Sequence, residues 1–192
     1  MNTAAELPWI EAGYSVFALQ GPEALKVEQL ARQVGISKSS FYHHFADLPV
    51  LIEVLLRYHQ QRAQAMAVKA ATCRSFNPDY VRIMVAHRLD LLFQRQLRMR
   101  RHELEYQECF NKAHHLVMEV VMPLWAESMG LPGQLPAARE MLAVVTDVFY
   151  QRLTNDNLTD EWVVDLLNEI EVFIRNAMKS QGAGPGTRAR QS

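Results

Sequence analysis

The stretch Leu30-Ala31-Arg32-Gln33-Val34-Gly35-Ile36-Ser37-Lys38-Ser39-Ser40-Phe41-Tyr42-His43-His44-Phe45 decides how this chain folds. Val27, Leu30, Ala31 and Val34 share one face of a helix over 27–34. Gly35 stops it, because a residue without Cβ takes the left-handed backbone of a tight helix end at no steric cost. Ile36 follows as an apolar plug, and Ser37 is a good N-cap for a short third helix ending near Phe45. Ala31 is small where two helices must approach, while Ile36 and Phe41 fill the space between them, which is the physics of a helix-turn-helix. The third helix then presents Lys38, Ser39, Ser40, Tyr42 and His43 outward. These side chains are short or planar and rich in hydrogen-bonding groups. No Asp or Glu falls between Ser37 and Phe45, whereas an ordinary solvated face mixes signs. Such a face suits a major groove about 12 Å wide, and the Ser37 end offers free N–H groups and partial positive charge to a phosphate.

Working outward, Trp9, Ile10, Gly13, Val16, Phe17 and Gln20 trace a helix from Leu7 to Gln20 that Gly21-Pro22 ends. Asp47 caps a fourth helix with Pro49 in its first turn, running from Leu48 beyond Ala70. Asn77-Pro78 opens a helix reaching Arg100, and another covers His102 to Met129 with a kink expected at Pro123. Gly130-Leu131-Pro132-Gly133 is a break, followed by helices from Ala137 to Thr154 and from Asp160 to Lys179. The pattern predicts an all-α chain: a helix-turn-helix domain over 1–47, a larger helical body over 48–180, and a flexible tail over 181–192.

Composition agrees. Of 192 residues, 49% are hydrophobic and only 8 are Gly and 8 Pro, which disfavours many short strands. The first 25 residues hold no Lys or Arg, so they lack the basic start of a secretory signal, and no apolar run is long enough to span a membrane. Cys73 and Cys109 form no CxxC, and reduced thiols in a cytoplasmic protein are expected. His43 and His44, as helical neighbours, diverge by about 100° and make a poor metal pair, so no metal and no cofactor is expected. There is no GxSxG, HExxH, P-loop or glycine-rich dinucleotide turn, and no nucleophile is set beside a base. An enzyme is not expected.

The segment from about residue 9 to 56 resembles the TetR (tetracycline-repressor) family of bacterial transcriptional regulators. The likeness rests on Ile10, Phe17, Gly21, Val27, Leu30 and Ala31, on Gly35-Ile36-Ser37-Lys38 in the turn, and on Phe41-Tyr42-His43-His44-Phe45. It implies a homodimer that binds a palindromic double-stranded operator and releases it when a small molecule enters the C-terminal domain. By the same resemblance Tyr42 and His44 look like backbone-positioning residues, and Lys38, Ser39, Ser40 and His43 face bases or adjacent phosphates. Lys26, Val27 and Ser37 complete the expected DNA contacts. Three departures stand out: Ser39-Ser40 where Gly-Thr is common, Leu48 where a Lys is common, and Lys26 where a Ser or Thr caps the second helix. Residues 1–60 carry Lys26, Arg32, Lys38 and Arg57 against six carboxylates, a net −2, so modest non-specific binding and a shallow salt slope are expected.

In the body, the two final helices carry apolar stripes wider than one core needs. Met141, Val144, Val145, Val148, Val163, Leu167, Ile170, Phe173, Ile174 and Ala177 are the expected dimer interface. Two reading helices must stand about 34 Å apart to enter successive grooves, which one short module cannot do alone. Methionines and aromatics concentrate mid-chain. Met84, His87, Phe93, Tyr106, Phe110, His115, Met118, Met122, Trp125 and Phe149 are candidates to line a pocket for an apolar or aromatic effector, with His115, Met118 and Met122 leading. Arg95, Arg98 and Arg101 recur at helical spacing and are expected on a solvated face paired with Glu103, Glu105 and Glu108. The reading is a homodimeric, effector-released repressor. Two alternatives remain: a protein of the same fold that has lost operator affinity and acts through protein partners, and a regulator that answers to no small molecule.

Overall fold

The computed structural model describes residues 3–182, and the side chains of residues 3–172. Among them the chain is all-α: α1 (Leu7–Gln20), α2 (Val27–Val34), α3 (Lys38–His44), α4 (Leu48–Ala70), α5 (Val81–Ala86), α6 (Arg88–Met99), α7 (Leu104–Ser128), α8 (Leu135–Arg152) and α9 (Asp160–Gly182). α9 continues through Gly182, over the first two residues of the segment expected as a flexible tail (181–192); residues 183–192 lie outside the described residues.

Local chemistry sets the boundaries of the first four helices. Gly35 is left-handed (φ 70°), and the N–H of Ile36 bonds back to the Ala31 carbonyl at 3.2 Å. The Ser37 hydroxyl accepts the Ser40 N–H, and Asp47 Oδ1 accepts the Val50 N–H at 3.0 Å. Trp9 of α1 meets Phe41 of α3 edge-on at 5.4 Å, and Phe41 packs on Phe45, so α3 is seated from behind and its front is left free.

α1 belongs to the amino-terminal trio by sequence but is locked into the body. Its Gly13 lets the Leu51 and Leu55 side chains of α4 approach to 3.4 Å of where a Cβ would stand. Phe17 and Tyr14 both stack on Phe93 of α6, at 4.1 and 4.4 Å. α4 and α7 pack along one another as the spine of the body, α8 packs on α7, and α9 meets α5.

One expectation fails. The single helix predicted from Asn77-Pro78 to Arg100 is an irregular turn over Phe76–Tyr80, then α5 and α6 separated at His87 (φ −100°, ψ 29°). No Gly or Pro marks that break. His87 is held there from both sides: its Nδ1 bonds the Asp90 carboxylate at 2.8 Å, in the first turn of α6, and Lys69 Nζ of α4 lies 3.1 Å from its Nε2. α7 passes through Pro123 as one continuous helix.

Candidate DNA interface and interior cavity

Of the five side chains expected to point outward from α3, four are exposed and Ser40 is half-buried. Ser37, Lys38, Ser39, Tyr42 and His43 are exposed, Tyr42 by 57%, while Ser40 and His44 are half-buried. Lys26 is exposed just before α2. Val27 is buried in the core, so what it can present outward is its backbone N–H in the first turn of α2. Lys38 is not idle: its Nζ donates to Glu28 Oε1 at 2.9 Å, and that bond leads the influences holding the Glu28 carboxyl below its ordinary range.

Behind this face lies a buried polar cluster that joins α1 to α4 and α6. The Tyr14 hydroxyl donates to Asp90 Oδ1 at 2.8 Å and lies 2.7 Å from His59 Nδ1. His59 Nε2 is 2.5 Å from Gln94 Oε1, and Gln94 Nε2 donates to the Phe110 carbonyl at 2.9 Å. Arg62 grips both oxygens of Asp90. Lys69 Nζ donates to His87 Nε2 at 3.1 Å, so the His87 proton sits on Nδ1 and points at Asp90. Burial pushes the Asp90 carboxyl up, but hydrogen bonds from Arg62, Tyr14 and His87 outweigh it and hold it below the usual range. Burial likewise drives the His59 pKa down to about 4, against the pull of Gln94 and Asp90. A neutral His59 that gives Nε2–H to Gln94 has no second hydrogen, so Asp90 and His59 compete for the one hydroxyl hydrogen of Tyr14. Two further ties hold the same junction: Gln96 donates to the Ala18 carbonyl, and Arg100 grips Glu23.

Two interior chambers of about 70 and 40 Å³ adjoin this cluster. The larger is lined mainly by apolar groups from the turn before α5, α5 itself and α6 to α9; the smaller reaches His59, Asp90 and Gln94. Tyr80, Leu91, His114, Met118 and Tyr150 line both and form the waist between them.

Of the ten expected pocket residues, Met84, Met118, Trp125 and Phe149 line the larger chamber. His87 belongs to the polar cluster, Phe93 to the aromatic stack under α1, and Tyr106 lies edge-on to Phe17. Phe110 packs behind the wall against His114 and Tyr150, and Met122 is buried without reaching the chamber. His115 points outward toward Glu119 at 3.7 Å, and its neighbour His114 faces in, since one residue is about 100° of helix. Of the expected interface, Val145, Val163 and Leu167 line the same chamber. Val144 is 65% exposed, and Met141, Val148 and Ile170 are half-buried. Phe173, Ile174 and Ala177 lie on α9 outside the described side chains. The arginine row pairs otherwise than expected: Arg98 and Arg101 meet Asp147 of α8, and Arg95 Nε is buried without a partner. Sequence reasoning missed Tyr14, His59, Arg62, Asp90 and Gln94.

A helix-turn-helix at the amino end of an all-helical body defines the class. Residues 10–47 match the family model for bacterial regulatory proteins of the tetR family. No curated protein matches the chain. Among solved structures, Salmonella enterica GusR is 17% identical with a TM-score of 0.58, covering 91% of this chain and 95% of its own. A tetR-family transcriptional regulator from Streptomyces coelicolor is 14% identical with a TM-score of 0.57, covering 93% and 90%. The multidrug binding protein EbrR, complexed with proflavin, is 18% identical with a TM-score of 0.50, covering 86% and 99%. At these identities the likeness is one of fold. The amino-terminal helices are similar to the tetR-family regulatory domain over residues 10–47, and the whole chain shares the fold of these solved structures.

Proposed function

We propose that this chain is a homodimeric DNA-binding transcriptional repressor that leaves a palindromic operator when a small apolar or aromatic molecule enters its body. Residues 1–47 read the DNA, and residues 48–180 bind the effector and the second subunit. The observation that carries the reading is the front of α3: largely exposed, with no carboxylate of its own, and fixed from behind by Trp9, Phe41 and Phe45. A solved structure of the same fold holding proflavin supports a ligand in the body.

The chambers supply a reason for release. Both are smaller than the ~150 Å³ cavity that accommodates benzene, so a ligand must part their walls and therefore prefers an opened body. The inner wall carries Asp90 and Gln94, which reach α1 through Tyr14 and His59. Opening the body therefore loads the junction that orients the reading helices.

Selection of genomic fragments by the purified chain, followed by fluorescence anisotropy, tests the reading. Wild type selects an inverted-repeat sequence, and Tyr42→Ala weakens it at least about tenfold with no change in melting temperature, as one lost positioning contact on an exposed residue allows. A wild-type chain that selects no fragment would sink the reading in favour of a protein acting through other partners.

A further inference from the structure

We propose that the waist between the two chambers selects the effector by chemistry: a single aromatic ring carrying one uncharged hydrogen-bonding group, as a phenol does. The inference rests on the cavity being the effector site. Tyr80, His114 and Tyr150 line both chambers, and none of the three side chains makes a hydrogen bond among the described residues. Neither hydroxyl is among the occluded, unsatisfied polar atoms; both residues border the chambers, and Tyr150 also borders a surface recess with Arg98 and Asp147. Buried polar groups ordinarily find partners, and the buried Tyr80 and Tyr150 with the half-buried His114, lining the same two chambers without any, leave both donors and acceptors for a guest. Their rings are held in place: His114 stacks on Phe110 at 5.5 Å, Tyr150 meets the same ring edge-on at 5.8 Å, and Tyr80 packs on Phe76 at 5.2 Å.

The waist offers no free counter-charge to an ion: Arg98, whose charge reaches His114 and Tyr150, is paired with Asp147. Asp90, the one carboxylate at the inner wall, is taken up by Arg62, His87 and Tyr14. Burial, with the charges of Arg98 and His115, keeps the His114 imidazole neutral, at a pKa of about 4. An unpaired ion entering such a wall gives up its hydration for nothing. A neutral hydroxyl both donates and accepts, and the rest of the wall, Leu91 and Met118 among it, takes the ring.

Isothermal titration of the full chain with para-ethylphenol, its isostere para-ethyltoluene and the anion para-ethylbenzoate tests the proposal. The phenol binds, the toluene binds about tenfold more weakly for want of a net hydrogen bond or two, and the benzoate gives no saturable binding. In His114→Phe with Tyr150→Phe the phenol-to-toluene ratio falls to about one; if that variant does not fold, the wild-type ratio alone decides. Equal binding of phenol and toluene, tighter binding of benzoate, or no binding of any of the three overturns the proposal. Met118→Trp fills the waist and abolishes phenol binding if the cavity is the effector site. Undiminished phenol binding in that variant overturns the cavity reading itself, separately from the ligand class.

Discussion

Lys38 shows how one residue can be prepared for two partners. In the free protein it is bonded to Glu28, both side chains more than half exposed, and an exposed pair of this kind contributes little to stability. A DNA phosphate must take Lys38 from that carboxylate, and Glu28 then faces the DNA as an added negative charge. Glu28→Gln removes competitor and repulsion together, so operator affinity rises several-fold at low salt and the gain shrinks as salt screens it; an anisotropy titration in two salt concentrations reads this. His59 and His114 make a second residue-scale prediction. Both have pKa values of about 4 in the folded chain against about 6.5 unfolded. Stability is therefore full above pH 6.5. It falls as the pH drops, because the unfolded chain takes up protons that the folded one refuses, and the decline ends near pH 4 where the folded state protonates. Each histidine accounts for on the order of 3 kcal/mol at the bottom of that window. Asp90, held below its ordinary range, adds its own loss only at more acid pH. Thermal melts between pH 7 and 4.5 should decline steadily, and less so for His114→Phe; a flat profile contradicts the assignment.

The junction of α1 with α4 and α6 is the element-scale feature. Asp90→Ala would strand Arg62, His87 and Tyr14 and is expected to cost about 3–5 kcal/mol, as for a broken buried pair. Tyr14→Phe is milder, about 1–2 kcal/mol, because Arg62 still holds the carboxylate. It should keep operator binding while raising the effector concentration needed for release, and denaturant melts beside release curves separate the two effects. This junction was illegible in the sequence for a plain reason: Tyr14, His59 and Asp90 meet across 45 and 76 residues, and no local pattern reports such a meeting. The break at His87 had no glycine or proline to announce it, since its imidazole is fixed by Asp90 three residues on together with Lys69 of α4. By contrast Gly35, Ser37 and Asp47 act on backbone within a few residues, so the helix-turn-helix and its outward face could be read directly. The pocket was half legible: methionines and aromatics marked its region, but a choice between His114 and His115 needs helix phase finer than composition gives.

For the whole molecule the open question of energetics is what covers α8 and α9. Val144 and Val172 are 65% and 57% exposed, and Met141, Val148 and Ile170 are half-buried around them. A second copy placing its own α8 and α9 there buries these side chains at about 25 cal/mol per Å² and spaces two reading helices for successive grooves. Val144→Glu should give a 22.0 kDa monomer by sedimentation with no loss of helix, and operator binding should fall with it. Val145→Glu is the wrong probe, since that side chain lines the chamber.

The hollow waist also makes the body the softer half of the protein under compression. Unfolding under hydrostatic pressure gains from every void it abolishes, and the two chambers lie in the body, away from the packed aromatic seat of α3. High-pressure NMR should therefore see resonances of α7 and α8 broaden before those of α2 and α3, and a guest that plugs the chambers should push that threshold upward.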